Sequence, residues 1–506
     1  MSCASRTSNL LVLFLVILLL VLYFIFFQST NVISDDSRRI YGLLHSPALA
    51  SPPEPGSLHF NGTSLAKLSG SSTKESSESS LHFNGTSLAK LSGSSTKESS
   101  ESSLDGSRGI VDELEIDCDG VISGNSMAVE KAKNITFTTE FHINRILNIT
   151  DAKKRCSHYD ATFNFRRNAL SEEEEAYPLA YGILAYHNFI QFMIMLSEFY
   201  EPQNAYCIAV PLNAEDQFRE LVNELSHCYE NVHILQVEET EWAHYAILRA
   251  VHTCLTFLDG LDVEWKYYQY LSGVDMPLKT NLELVRIFKT LNETSIAEVL
   301  EFQKERLNGM KYEDSPFPLW KTSMSATFPR VVAHQLTSTL AFKQLQFLKD
   351  TTVADESLWT TLLGNPKLFP LTTGGWDAAE IFSFRQNEQN KPKRNITPCP
   401  VNKICFRGGM IARKQEWDGD CGGRWTSGSC VYGVSDVARL VTSAELVAHK
   451  LYLDTQPAAI MCIARELGKR RKQDFDRVDY ESYAQIPQVE LKQGKNFTEL
   501  TWPEFV

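Results

Sequence analysis

From Ala176 onward, short apolar runs alternate with longer stretches in which apolar positions recur every three to four residues. The short runs are patterned as buried strands and the longer ones as helices packed on them. Leu179 to Tyr186, Ala205 to Val210, Val232 to Val237 and Trp265 to Leu271 are the predicted strands. Asn188 to Tyr200, Glu215 to Leu225 and Trp242 to Leu258 are the predicted helices, with a turn at Pro202, Gln203 and Asn204. Such a βαβ series predicts an α/β fold, a mostly parallel sheet with helices on both faces. The last strand lies in WKYYQYLSGVDMPLK (Trp265 to Lys279), which breaks at Ser272 and Gly273 and then presents a lone carboxylate, Asp275. Open α/β sheets bind ligands at the carboxyl ends of their strands, which makes Asp275 a site candidate. It is also placed to cap a helix beginning near Asn281.

The first quarter is patterned differently. Leu10 to Phe27 carries no charge and is long enough to cross a bilayer. It ends in aromatics before Gln28 rather than in the small residues of a cleaved signal peptide, so it reads as a transmembrane signal-anchor behind a short tail, residues 1–9. Arg6 on one side, and Arg38 and Arg39 offset by Asp35 and Asp36 on the other, leave its orientation undecided by charge. Ser57 to Ser79 is repeated without change as Ser80 to Ser102. This Ser-, Gly-, Lys- and Glu-rich unit cannot bury enough apolar surface to offset its ordering entropy. Residues 28–115 are therefore expected to be a disordered stem, 116–475 a single catalytic-sized domain and 476–506 a C-terminal tail.

A net charge of -13 argues against nucleic acid or an anionic membrane surface as the main partner. An anionic ligand would have to be met by local cations. Cys3 precedes the apolar run and the other ten cysteines follow it, an even number suited to disulfides. Glycosylation sequons at Asn61, Asn84, Asn134, Asn148, Asn292, Asn395 and Asn496 agree with the cysteines in pointing to a lumenal body. The first strand-helix turn, Ala185 to Asn188, has no Gly-x-Gly-x-x-Gly, and the chain has neither a Gly-Lys-Ser/Thr phosphate loop nor His-Glu-x-x-His. The cysteines lack zinc-ribbon spacing, and the Asp-x-Asp pairs starting at Asp117, Asp418 and Asp474 follow no apolar strand, so no metal cofactor is expected.

Five segments, YEPQNAYCIAV (Tyr200 to Val210), WKYYQYLSGVDMPLKTNLELVR (Trp265 to Arg286), DESLW (Asp355 to Trp359), SGSCVYGVSD (Ser427 to Asp436) and AHKLYLDTQPAAIMCI (Ala448 to Ile463), resemble the core-2/I-branching β-1,6-N-acetylglucosaminyltransferase family, glycosyltransferase family 14. The resemblance runs from Cys156 to Arg471. It implies a single-pass type II Golgi membrane enzyme with one GT-A-like catalytic domain, acting on a UDP-sugar and a glycan acceptor without a metal ion.

By that resemblance Glu356 matches the catalytic base, which takes the acceptor hydroxyl's proton as it attacks the anomeric carbon through an oxocarbenium-like transition state. Taken alone, it is also a first-turn Glu favoured by a helix dipole. Lys450 falls where the family places a cation on the UDP diphosphate. A second family cation, an arginine, is replaced by Ser427, and Arg424 is the nearby substitute. His187 matches a position near the uridine and, with Asp275, completes the expected donor side, while Glu298 lies near a family acceptor contact. Two departures stand out: Pro211 replaces an aspartate on the donor side, and Ser272 replaces a cysteine. The family framework implies the bridges Cys118–Cys462, Cys156–Cys228, Cys207–Cys254 and Cys421–Cys430, leaving Cys399 and Cys405 as additional. The expected activity is transfer of N-acetylglucosamine to a glycan on glycoproteins. A different donor such as UDP-xylose, or a catalytically silent glycan-binding protein, remains as an alternative reading.

Overall fold

The computed structural model describes residues 109–389, 410–473 and 477–500. The apolar run 10–27, the repeat, Asn61, Asn84, Asn395, Cys399 and Cys405 lie outside the described residues. Among the described residues no helix is long and apolar enough to cross a membrane.

The chain forms β1 (Leu179–Leu184), α1 (Phe189–Phe199), β2 (Ala205–Pro211), α2 (Asp216–Asn223), β3 (Val232–Val237), α3 (Tyr245–Asp259) and β4 (Tyr267–Ser272), and adds β5 (Thr327–Pro329). The sheet order is β3-β2-β1-β4-β5. The first four strands are parallel and β5 is antiparallel to β4. This is the α/β architecture expected of a GT-A-like domain. The helix predicted from Trp242 begins only at Tyr245, because Ala243 takes a left-handed backbone (φ 67°) and its carbonyl accepts from Val353 N.

Alternation along the strands builds two cores. Tyr181, Ile183, Tyr206, Ile208 and Val210 pack with α1 and α2 on one face. Ala180, Ala205, Cys207 and Ala209 face α3 on the other. The small residues let α3 lie close, and the Cys207–Cys254 bridge joins it to β2. From β1 the chain steps outward to β2 and β3, then returns to the other side of β1 as β4. That reversal opens a crevice at the carboxyl ends of β1 and β4, the place where such sheets hold ligands. The strands come close there: a Cβ on Gly273 would sit 3.1 Å from the Ala185 Cβ.

The structure contains the bridges Cys118–Cys462, Cys156–Cys228, Cys207–Cys254 and Cys421–Cys430, the four pairs implied by the family framework. Two expected boundaries need correction. Folded chain begins before residue 116, with Ile110 and Val111 buried and the carbonyls of Val111, Leu114 and Ile116 accepting from the Arg465 guanidinium. The expected tail from 476 packs on the body in its described part, 477–500. Tyr483, Ile486 and Val489, at helical spacing, are buried, and Tyr483 Oη donates to the Ala444 carbonyl (2.7 Å).

Candidate active site

The segment carrying Lys450 is laid into the crevice by backbone pairing. Val447–Ala448 runs antiparallel to Met276–Pro277, and Leu451 N donates to the Val274 carbonyl at 3.1 Å. Gln191 of α1 clamps the next turn, donating to Leu451 O and accepting from Leu453 N, both at 2.9 Å. His449 points back into the protein, its Nδ1 2.7 Å from Asp275 Oδ1, while Asp275 Oδ2 accepts from Ser272 N at 2.7 Å. Burial, with Arg413 adding to it, lowers the His449 pKa against the pull of Asp275, so the imidazole is neutral and its Nδ1–H donates to the carboxylate.

Asp275 is buried, and both its oxygens have internal partners. The carboxylate expected on the donor side is therefore engaged within the protein, with Ser272 and His449. It is not a helix cap either: Thr280 caps Asn281–Thr290 in a capping box with Glu283.

The Lys450 ammonium is nearly buried and donates to the Thr426 carbonyl at 3.1 Å. Among the described residues it pairs with no carboxylate. Burial first, then Arg413 and Arg424, push its pKa down to about 8. Arg424 lies on Arg424–Thr426, hairpinned to Ser429–Val431. Ser427 and Gly428 are the two loop residues, both with positive φ (50° and 74°), the geometry of a tight hairpin turn. The position of the missing family arginine is therefore a turn here. Arg424 is exposed, 3.3 Å from Asp454, with its guanidinium 6.0 Å from the centre of the Tyr452 ring. His187 follows β1, its ring 4.4 Å from Tyr186 and 6.5 Å from Tyr452. Burial lowers its pKa against Glu215 and Asp454, leaving a neutral imidazole in an aromatic cluster.

Glu356 ends the short turn Ala354–Glu356, just before the helix Leu358–Leu363. Val353, which opens that turn, is held in a left-handed conformation (φ 52°), an unfavourable state for a β-branched residue. Its N–H bond to Ala243 O, and Thr322 N to Glu356 O (2.8 Å), pin the turn in place. Glu356 Oε2 accepts from Arg306 Nη2 at 2.7 Å and lies 3.8 Å from Lys321 Nζ. Burial alone would raise its pKa, but Arg306, Lys321 and Arg413 outweigh burial and hold the carboxyl below its usual range. The Glu356 carboxylate is thus ionised.

Asp355 is driven the other way, up to about 7, by burial and by the charge of Glu356 beside it; its Oδ1 is buried without a partner. Glu298 is also raised, by burial and Glu356 against the pull of Lys321, Arg385 and Arg413. Its carbonyl accepts from Thr360 Oγ1 (2.6 Å), on the helix that follows Glu356. Glu298 and Glu356 therefore belong to one cluster.

Arg413 links the two halves: its neighbour Lys414 pairs by its backbone with Val447 and His449, and its Nη2 donates to Ser323 Oγ, next to Thr322, whose N–H holds the Glu356 carbonyl. Sequence reasoning missed Arg306, Lys321 and Arg413, which have no local pattern. It also passed over His449 and Asp355, although each immediately precedes a named site residue. Among the described residues no group of three or more His, Cys, Asp or Glu side chains is arranged to hold a metal ion. A shallow pocket lined by Lys279, Ser443, Arg470 and Tyr483 includes neither Glu356 nor Lys450. There Lys279 donates to the carbonyls of Leu278, Ser443 and Glu445.

At the switch point of the α/β sheet the chain thus carries an ionised carboxylate held by cations, Glu356, and a nearly buried lysine without a carboxylate partner among the described residues, Lys450. Residues 179–404 match the family described as Core-2/I-Branching enzyme. It is similar to β-1,3-galactosyl-O-glycosyl-glycoprotein β-1,6-N-acetylglucosaminyltransferase 4 of Mus musculus, 25% identical over 71% of this chain and 80% of the other. It is 26% identical to the Homo sapiens enzyme 3 of that name, over 70% of this chain and 82% of the other. Among solved structures, mouse xyloside xylosyltransferase 1 aligns at 10% identity over 37% of this chain and 81% of the other, with a TM-score of 0.22, too low to bear on the fold.

Proposed function

We propose that this glycosyltransferase moves N-acetylglucosamine from UDP to a hydroxyl of a glycoprotein glycan, in β-1,6 linkage, with inversion and without a metal ion. The relatives' names supply the sugar, linkage and acceptor class. The observation that carries the chemistry is Lys450: a nearly buried ammonium beside two arginines and with no carboxylate partner among the described residues is a site for a multiply charged anion. Glu356, ionised by Arg306 and Lys321, takes the proton of the acceptor hydroxyl while that oxygen attacks the anomeric carbon. The bond to the diphosphate breaks, and Lys450 faces the charge that develops on the departing UDP. Tyr186, His187 and Tyr452 flank the same crevice and suit the uridine end of the donor.

Four disulfides suit an oxidising compartment, and Asn134, Asn148, Asn292 and Asn496 are all exposed for glycosylation. Together with the apolar run 10–27, they support a single-pass type II Golgi membrane protein with its catalytic body in the lumen.

The test is UDP release by the full-length protein from a panel of UDP-sugars with O-glycan acceptors, with and without chelator. UDP-N-acetylglucosamine is expected to be the preferred donor and chelator to leave the rate unchanged. A preference for UDP-xylose would overturn the donor assignment, and loss of activity with chelator the metal-free mechanism.

A further inference from the structure

Arg413 belongs to one half of the site by its backbone and to the other by its side chain. Its neighbours are stitched to the Lys450 segment: Leu446 N donates to Ile411 O (2.8 Å), Lys414 N to Val447 O (2.7 Å) and His449 N to Lys414 O (2.9 Å). Ala412 O also accepts from Gln269 of β4, at 3.3 Å. The guanidinium reaches the other way, Nη2 donating to Ser323 Oγ at 2.9 Å. Ser323 follows Lys321 and Thr322, the residues that face the Glu356 carboxylate and hold its backbone. Arg413 Nε is buried and has no partner, so the guanidinium keeps a donor unused inside the site.

We propose that Arg413 is the second cation on the donor's diphosphate, standing between base and Lys450 at the oxygen that leaves the anomeric carbon. The inference rests on the UDP-sugar reading above. Ser427, where the family resemblance calls for an arginine, is a left-handed turn residue. Arg424 is exposed to solvent and turned toward Asp454. Arg413 alone of the three is tied to both halves, by the backbone of its neighbours to the Lys450 segment and by its guanidinium to Ser323 on the Glu356 side. In the transfer, the acceptor oxygen bonds to the anomeric carbon and its proton passes to Glu356. The electron pair of the broken bond goes to the β-phosphate oxygen, where a planar guanidinium can hold two oxygens at once.

Calorimetric titration of the full-length protein with UDP tests this, using R413M, R413K and R424A, with thermal melts to verify folding. R413M is expected to weaken UDP by about tenfold or more, the size of one charge-assisted hydrogen bond. R413K recovers part of the loss, and R424A, at an exposed arginine paired with Asp454, weakens UDP less than R413M does. In R413M the alkaline limb of kcat/KM should move up, because Lys450 loses a neighbouring cation; a purely structural arginine would not move it. If R413M does not fold, R413K decides, by binding UDP more weakly than the wild type. Wild-type affinity in the folded Arg413 variants overturns the assignment of Arg413 and leaves the donor reading standing. Absence of UDP binding by the wild type overturns both.

Discussion

Asp275 Oδ1 lies 2.7 Å from Nδ1 of His449, the residue immediately before Lys450. Asp275 is buried and His449 mostly so, and a carboxylate just beyond β4 thus holds the chain at the residue before Lys450.

In D275N the imidazole N–H is left with a neutral acceptor in place of a charged one. The expected cost is about 1.5–3 kcal/mol of folding stability, together with weaker UDP binding as Lys450 loses its aim. Denaturant melts and UDP titration measure the two effects, and an unchanged UDP affinity would refute the positioning role.

On the proposed mechanism, replacing Glu356 leaves binding intact and removes proton transfer. E356Q is expected to lower kcat by about 10²–10⁴-fold with little change in the donor KM. A variant with the wild-type turnover would mean that another group accepts the proton.

The pH profile has two limbs of opposite origin. Lys450, pushed down to about 8, is charged below that pH and loses its charge above it, so kcat/KM should fall as pH rises through about 8. Glu356 is held below the usual carboxylate range and must be ionised to act, so the acid limb should appear only below that range. In R306M the acid limb should move up, because the largest charge opposing burial is gone, and stability should drop by about 3 kcal/mol with the carboxylate's buried partner removed.

The Cys118–Cys462 bridge closes a span of 344 residues. C118S is expected to lower stability by about 2–4 kcal/mol, seen as an earlier urea midpoint, with kcat unaffected at temperatures where the protein is folded. A change in kcat under those conditions would show that the bridge also shapes the site.

The sheet was legible because each strand from β1 to β4 is a compact apolar run followed by a helix with its own period, so local pattern and tertiary burial agree. Glu356 and Lys450 were singled out only through the motifs around them, since a lone Glu or Lys carries no signal. What the sequence hid is what distance in the chain hides. Arg306 and Lys321 sit 50 and 35 residues before Glu356 and meet it through irregular chain. Arg413 reaches Ser323 across 90 residues. The role of Asp275 was misread because its partner, His449, lies 174 residues away. Tyr483, Ile486 and Val489 were passed over because three buried residues spread over two short helices and the link between them make too brief a period to stand out.

Arg465 holds the carbonyls of Val111, Leu114 and Ile116, one helical turn from the cysteine that is bonded to Cys118. Tension arriving along the chain from its amino-terminal side would therefore be transmitted into the helix Pro457–Arg470 rather than into the strands that carry the crevice. The same helix begins shortly after Lys450, so loosening this seam would slacken the stretch of chain on which that lysine sits.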